Sequence, residues 1–174
     1  IDKTEEDHEV IWQEVKQALD EAGENFLQMR QREGERIGSA LLECGARIRT
    51  VVDQIEQLAP AAVEDYRQRL REKIVELTQQ QDIDETRLLT EVAIFADKVC
   101  TDEELTRLGS HLKELDHLLH LEEPVGRKLD FLIQEMNREV NTIGSKCNQI
   151  EIAKLVVDTK AEIEKLREQV QNIE

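Results

Sequence analysis

The sequence is poor in the residues that end helices and build β-sheet proteins. Its 174 residues include only seven glycines, two prolines and 3% aromatic residues. Sandwiches and barrels of short strands need frequent turn residues, so their scarcity argues against an all-β fold. No apolar run approaches the roughly 20 residues of a membrane-spanning helix, and no signal peptide precedes the first predicted helix. We therefore expect a cytoplasmic protein without a membrane partner.

The cysteines are few and widely separated. Cys44, Cys100 and Cys147 are an odd number and show no CxxC spacing. A disulfide framework or a zinc knuckle is therefore not expected, and a reducing compartment fits better. Cys147 has no neighbouring histidine in the sequence, and we interpret it as structural.

Acidic residues outnumber basic residues, but unevenly along the chain. The formal net charge is −16, which argues against a general attraction to nucleic acid or anionic membranes, and no DNA partner is expected. Residues 126–174 nevertheless carry eight basic and nine acidic residues, so nearly all of the excess negative charge precedes them. Any polyanion is therefore expected to contact this C-terminal third.

Abundant Glu, Leu, Gln, Lys and Arg, with apolar residues at helical spacing, predict an all-α fold. We expect long antiparallel helices that lead into a C-terminal helical bundle and belong to a ring-like oligomer. Two long helices, or one rod kinked near "REGERIGSALLECG", are predicted before Pro60, which suits the first turn of the next helix. Asp84 and the capping box at Thr101 are predicted to begin later helices, and Gly144 to end the helix that begins near Val125.

We divide the chain at the polar segment "QQQDID". Residues 1–81 are predicted to form a helical arm that includes the end of a missing N-terminal domain. Residues 82–174 are predicted to form the C-terminal helical domain. Because the chain begins at Ile1 rather than Met, we expect it to be a fragment of a longer protein.

The segment "QEMNREVNTIGSK" carries polar side chains on every side of its predicted apolar stripe. Glu135 and Glu139 share one flank, whereas Phe131 lies near the polar pole beside Arg127 and Arg138. An exposed Phe between two arginines is typical of a partner surface or of nucleic-acid stacking. An ordinary surface helix with ion pairs one turn apart has the same general pattern.

Two further helices carry candidate chemistry. In "DEELTRLGSHL", Glu104 and His111 lie on one edge of the core stripe with Arg107 just outside it, which suits a metal or acid–base site. A capping Glu and a half-buried His would look the same. In the last helix, Lys160 and Arg167 lie on one line that can position phosphate, although salt-bridge ladders share this spacing.

Four segments, taken in order, resemble the C-terminal region of the YicC/YloC endoribonuclease family, whose members were once described as stress-induced bacterial proteins. They are "LLTEVAIFADK", "DEELTRLGSHL", "EPVGRKLDFLIQEMNREVNTIGSK" and "KAEIEKLREQVQNIE". The resemblance implies a cytoplasmic enzyme that cleaves single-stranded RNA internally, in RNA turnover or in a stress response. It also implies dependence on a divalent metal, Mg²⁺ or Mn²⁺, and a homo-oligomer, with a hexamer favoured.

Within that resemblance we assign roles to the candidate residues. A bound metal would lower the pKa of its water, and basic side chains would position the phosphate and stabilise charge in the transition state. Glu91 and Asp130 are second-line carboxylates. The predicted metal ligands are Glu104, His111, Glu135 and Glu139. The predicted catalytic residues are His111, Glu135, Glu139 and Arg107. The predicted RNA-binding residues are Arg138, Lys160, Arg167 and Phe131.

Two alternatives, and one variant of the nuclease interpretation, share these residues. A binding or adaptor protein would use the same helices to hold RNA or another RNase without cutting RNA. A purely structural assembly module would bury Phe131 between subunits. A metal-independent RNase would use the ribose 2′-hydroxyl as nucleophile and leave cyclic-phosphate ends.

Overall fold

A computed structural model describes residues 8–79, 83–121, 123–171 and 173, which contain helices and no strand. The all-α prediction is therefore confirmed. By its contacts the chain divides into two compact units, Ile1–Ala40 and Leu41–Glu174. None of the described helices is both long and apolar enough to cross a membrane. The helices are α1 (His8–Thr78), α2 (Glu85–Val99), α3 (Asp102–Leu119), α4 (Gly126–Lys146) and α5 (Ile150–Val170).

Helix α1 continues through the two places where a break or kink was predicted. It contains Pro60 in its interior, although proline removes an amide donor and crowds the preceding turn. Ile55 and Ala62 are buried on either side of Pro60, so packing on both sides keeps this stretch helical. The predicted helix boundary at Pro60 is therefore wrong.

The helix ends are set by a mixture of predicted and unpredicted contacts. The Asp84 carboxylate accepts from the amides of Thr86 and Arg87 at 3.1 and 3.2 Å, which confirms it as a cap. Thr101 is the N-cap residue of α3, but its side chain makes no capping hydrogen bond. The prediction for Gly144 is wrong, because α4 runs past it to Lys146.

Residues 8–40 of the first unit are helical. From residue 9 to residue 36 every side chain is exposed. Six of the apolar side chains among them recur alternately three and four residues apart, which is the spacing of a coiled-coil seam. These side chains are Trp12, Val15, Leu19, Ala22, Phe26 and Met29.

In the second unit, α4 packs against both α3 and α5. Helix α2 attaches to the second half of α1 through a ring stack between Tyr66 and Phe95, whose centroids are 3.7 Å apart, and through an ion pair between Arg71 and Glu85. Burying apolar area in this way is the main stabilising term of such a bundle. The largest fully buried apolar side chains include Leu41, Ile48, Leu108, Leu115, Leu129, Met136, Ile143 and Leu166.

A second set of contacts joins α1 to α5. The Glu162 carboxylate accepts from Lys165 Nζ at 2.6 Å and from Arg47 Nε at 2.8 Å. The Cys44 thiol also donates to it, at 3.3 Å. Together these contacts, led by the Lys165 hydrogen bond, lower the pKa of Glu162 to about 2. Burial raises the pKa of the Cys44 thiol, which is typical of a structural cysteine rather than a reactive one.

Candidate active site

Two buried carboxylates and two cations form a cluster between α3 and α4. Glu104 is 4% exposed and Glu139 is 6% exposed, which is unusual for charged residues. Arg107 lies one turn after Glu104 on α3, and Lys146 lies two turns after Glu139 on α4. We call these four residues the α3–α4 charge cluster. Because a buried charge is costly unless it is paired, the four side chains must be held together by specific contacts.

Arg107 joins the two buried carboxylates. Its Nε donates to Glu139 Oε1 at 2.9 Å, and one terminal nitrogen donates to Glu104 Oε1 at 3.4 Å. The other terminal nitrogen donates to the exposed Glu103 at 3.2 Å. Glu139, whose hydrogen bond contributes most, and Glu103 raise the pKa of Arg107. The side chain remains 46% exposed, so a fixed guanidinium reaches the surface.

Lys146 neutralises the other side of the cluster. Its Nζ donates to both oxygens of Glu104, at 3.0 and 3.1 Å, and to the Cys100 carbonyl at 2.9 Å. Burial by itself raises the pKa of Glu104. The Lys146 hydrogen bond, a backbone amide, and the Lys146 and Arg107 charges outweigh that effect, so the pKa lies below its ordinary value. Glu104 is therefore held as a buried carboxylate anion.

The structure brings together part of the predicted catalytic set. Arg107 and Glu139 are in direct contact, whereas the other two predicted residues lie outside the charge cluster. Glu135 is partly buried, and its carboxylate lies 3.8 Å from the Arg138 guanidinium. His111 is partly buried one turn beyond Arg107, and its Nε2 has no hydrogen-bond partner among the described residues.

The predicted metal ligands are not gathered into one group. In the parts of the chain that the structure describes, no three His, Cys, Asp or Glu side chains are placed to hold a metal ion. Glu104 and Glu139 instead accept hydrogen bonds from Lys146 and Arg107. The predicted ligands therefore do not fit a metal centre within one described copy of the chain. We assign no chemical step to a metal, and metal dependence stays a prediction.

The predicted RNA-binding residues are at the surface. Phe131 is 64% exposed on α4, and the Arg138 side chain is 75% exposed. Lys160 and Arg167 are exposed on α5, where Arg167 lies 3.8 Å from Glu164. That arrangement is a surface ion pair, as the alternative interpretation of this stripe expected.

The second-line carboxylates lie on different helices. Glu91 is exposed on α2. Asp130 is partly buried and accepts a hydrogen bond from Gln134 at 2.8 Å, one turn along α4. Neither makes a contact that links it to the charge cluster among the described residues.

Lys146 is the one member of the charge cluster to which sequence reasoning gave no role. The helical pattern places it on the same flank of α4 as Glu139, seven residues away. The sequence therefore does contain one indication of its role: Lys146 is a long basic side chain on the flank of α4 that also carries the acids Glu135 and Glu139. Its partner on α3 depends on how the two helices pack, which the pattern within one helix does not specify.

Two protein-family models match this chain, and one of the matched segments contains the charge cluster. Residues 55–174 match the family model "Endoribonuclease YicC-like, C-terminal", and residues 1–39 match "Endoribonuclease YicC-like, N-terminal region". All four residues of the charge cluster fall within the first of these matches.

Two relatives match along the whole chain. The probable endoribonuclease YicC of Clostridioides difficile (strain 630) is 43% identical over 175 residues. The probable endoribonuclease YicC of Haemophilus influenzae (strain ATCC 51907 / DSM 11121 / KW20 / Rd) is 35% identical over 174 residues. The chain is covered completely in both comparisons and spans 60% of the length of each relative. The matched family model covers well over half of the chain, and the chain belongs to the YicC-like endoribonuclease family.

Proposed function

We propose that this chain is the helical part of an endoribonuclease that cleaves single-stranded RNA internally. Its membership of the family and the names of its two relatives support a nuclease activity. Single-stranded RNA as substrate, a role in RNA turnover or stress, a cytoplasmic location and a hexameric assembly belong to the same proposal.

The observation that carries the proposal is the fixed, half-exposed guanidinium of Arg107. A guanidinium has five N–H groups, and three contacts hold this one to Glu139, Glu104 and Glu103. The other two N–H groups have no partner among the described residues and can donate to a ligand. Their planar geometry matches the oxygens of a phosphate.

Arg107 would stabilise the charge that develops on the phosphodiester during cleavage. Donors that are already oriented are effective because they do not reorganise as the charge grows. Glu139 would act as a positioning residue, since it holds Nε and thereby sets the plane of the guanidinium. Lys146 would keep Glu104 neutralised, so that Arg107 is not the only cation available to two buried anions.

The cleavage assay uses the 174-residue chain and a labelled single-stranded RNA, with Mg²⁺, with Mn²⁺ and with chelator. The informative variant is Arg107→Lys, which keeps the charge but removes the fork of donors. We expect cleavage to fall by about a hundredfold, as is typical when one oriented donor to the transition state is lost. The matched control is Arg87→Lys, because Arg87 is an arginine of α2 with an 89% exposed side chain.

Several outcomes decide between the interpretations. A folded Arg107→Lys chain that cleaves as fast as the wild type would contradict the role of Arg107. Cleavage that persists in chelator and leaves cyclic-phosphate ends would favour the metal-independent variant. RNA binding without new ends under any condition would favour the adaptor interpretation. A His111→Ala variant in the same assay tests the predicted catalytic role of that residue.

A further inference from the structure

We propose that a groove between α3 and α4 binds one unpaired nucleobase of an RNA strand. The proposal rests on the proposed function, because it names how the substrate is held beside the charge cluster. Residues of α3 and α4 line the groove, which has a volume of about 480 Å³. That volume lies within the usual range of small-molecule sites. The lining residues that matter are His111, Leu118, Arg127, Lys128, Phe131 and Leu132.

Phe131 supplies an exposed aromatic face at this groove. It is 64% exposed and lies off the apolar stripe of α4, whose members Leu129, Leu132 and Met136 are buried. An aromatic ring at the surface stacks on any base, because every base has a π-face. Leu118 and Leu132 give the groove apolar walls against which the flat faces of a base can pack.

His111 supplies an unused hydrogen-bonding atom in the same groove. Its Nε2 is buried and has no partner among the described residues. Buried polar atoms in folded proteins are nearly always bonded, so an unpaired one needs an explanation. Nε2 donates or accepts according to the tautomer, and it can therefore bond the edge of a base that enters the groove.

Two basic side chains, Arg127 and Lys128, line this groove, although the net charge of the chain is −16. Lys128 is paired with the exposed Glu123. Arg127 pairs with no carboxylate among the described residues and is exposed. Glu114 is the acidic residue that lines the groove. Arg127 is therefore the lining cation that suits a nucleotide, since its guanidinium would contact the phosphate while the base stacks on Phe131.

The groove also has a defined place relative to the charge cluster. His111 lies one turn after Arg107 on α3, and Phe131 lies two turns before Glu139 on α4. The groove and the cluster therefore follow each other along the same pair of helices. A strand bound with one base in the groove would run its backbone along this pair of helices, towards Arg107.

The test compares a short labelled single-stranded RNA with an abasic oligonucleotide of the same length and backbone. Fluorescence anisotropy is measured in chelator, with the 174-residue chain and its Phe131→Ala variant. We expect Phe131→Ala to weaken binding of the base-bearing RNA about tenfold, the usual effect of one lost base stack, and to leave the abasic one unchanged. His111→Ala should act in the same direction, whereas Arg127→Ala should weaken both ligands. The control is Val157→Ala on α5, since Val157 is also 64% exposed.

The outcomes separate this proposal from the proposed function. Equal binding of both oligonucleotides by the wild type, or no binding of either, would overturn the nucleobase site. A third outcome would also overturn it: a Phe131→Ala chain whose assembly has a lower mass in sedimentation but which still prefers the base-bearing RNA. The groove would then be an interface between copies. A wild-type chain that prefers bases but produces no new RNA ends with Mg²⁺ or Mn²⁺ would keep the site and overturn the endoribonuclease.

Discussion

At the scale of single residues, charge pairing decides which candidate side chains can act. Glu104 and Glu139 are both buried, and each is bonded to a cation on the opposite helix. The sequence pattern placed Glu104 at the margin of the core, and the structure confirms that it is not a solvated surface residue. The consequence is that the cations beside these two acids are as important to the fold as the acids themselves.

Lys146→Met should destabilise the fold by about 3 kcal/mol, because it leaves the buried Glu104 without its main partner. The side chain of Glu104 is only 5% exposed and cannot recover its hydration. The measurement is urea denaturation at neutral pH. The loss of unfolding free energy should be smaller in acid. In the variant, burial would raise the pKa of Glu104, and a protonated Glu104 needs no cation.

The control for this experiment is Lys73→Met. Lys73 pairs with Glu76 at 2.8 Å, but both side chains are more than half exposed. Pairs of this kind contribute about 0.5 kcal/mol or less. An equal loss in the two variants would show that the effect comes from removing a lysine and not from the buried cluster.

Glu162 should make the stability depend on pH in the acid range. Its pKa in the folded chain is about 2, against an ordinary value of 4.5. A lowered pKa means that its contribution is complete above pH 4.5 and is lost as the pH falls towards 2. Glu162→Gln should therefore lower the unfolding free energy by about 3 kcal/mol at neutral pH, and the difference should vanish near pH 2.

The comparison is Glu164→Gln, two residues further along α5. Glu164 is 58% exposed and lies 3.8 Å from Arg167. Denaturation of both variants across the acid range gives the two pH profiles. A Glu162→Gln difference that stays constant with pH would contradict the assignment of the low pKa to this carboxylate.

At the scale of helices, the sequence predicts the buried faces better than the ends. The stripe predicted for α4 is buried throughout, because an apolar face with helical spacing has to pack against something. The ends depend on neighbours that local sequence does not show. Pro60 and Gly144 are both typical helix breakers, yet α1 and α4 continue through them.

Gly144 shows why a helix can contain a glycine that does not end it. A Cβ at this position would lie 3.0 Å from Val156 Cγ1 on α5. This separation is shorter than an ordinary van der Waals contact, and Val156 cannot easily move away because the χ1 angle of valine is restricted. The glycine is therefore explained by the close approach of two helices, which the local sequence cannot distinguish from a C-cap.

Gly144→Ala should destabilise the chain by about 1 kcal/mol through overpacking, despite the better helix propensity of alanine. Gly109→Ala on α3 should instead stabilise it by about 0.5 to 1 kcal/mol, because nothing lies within 4 Å of a Cβ there. Thermal unfolding of both variants gives the signs. In a Val156→Ala background the penalty at Gly144 should disappear, and its persistence there would contradict the packing explanation.

At the scale of the whole molecule, apolar side chains in the first unit remain exposed. Trp12, Leu19 and Phe26 are 55%, 62% and 52% exposed, and they follow each other every seven residues. Sequence reasoning detected helical periodicity here, but a helix pattern alone does not distinguish a face that packs within the chain from one that packs between copies. In the predicted homo-oligomer this stripe would be buried against the same helix of another copy, because apolar side chains with heptad spacing pack between helices.

A double substitution, Leu19→Lys with Phe26→Lys, should therefore lower the mass of the assembly measured by sedimentation equilibrium. Two ammonium groups cannot be buried between helices without partners, so the seam would separate. Gln17→Lys with Gln31→Lys adds the same charge to the same helix, away from the stripe, and should leave the mass unchanged. If both double variants keep the wild-type mass, the stripe is not an interface between copies. If both lower it equally, added charge and not the apolar stripe controls assembly, and the hexamer prediction would need a different contact.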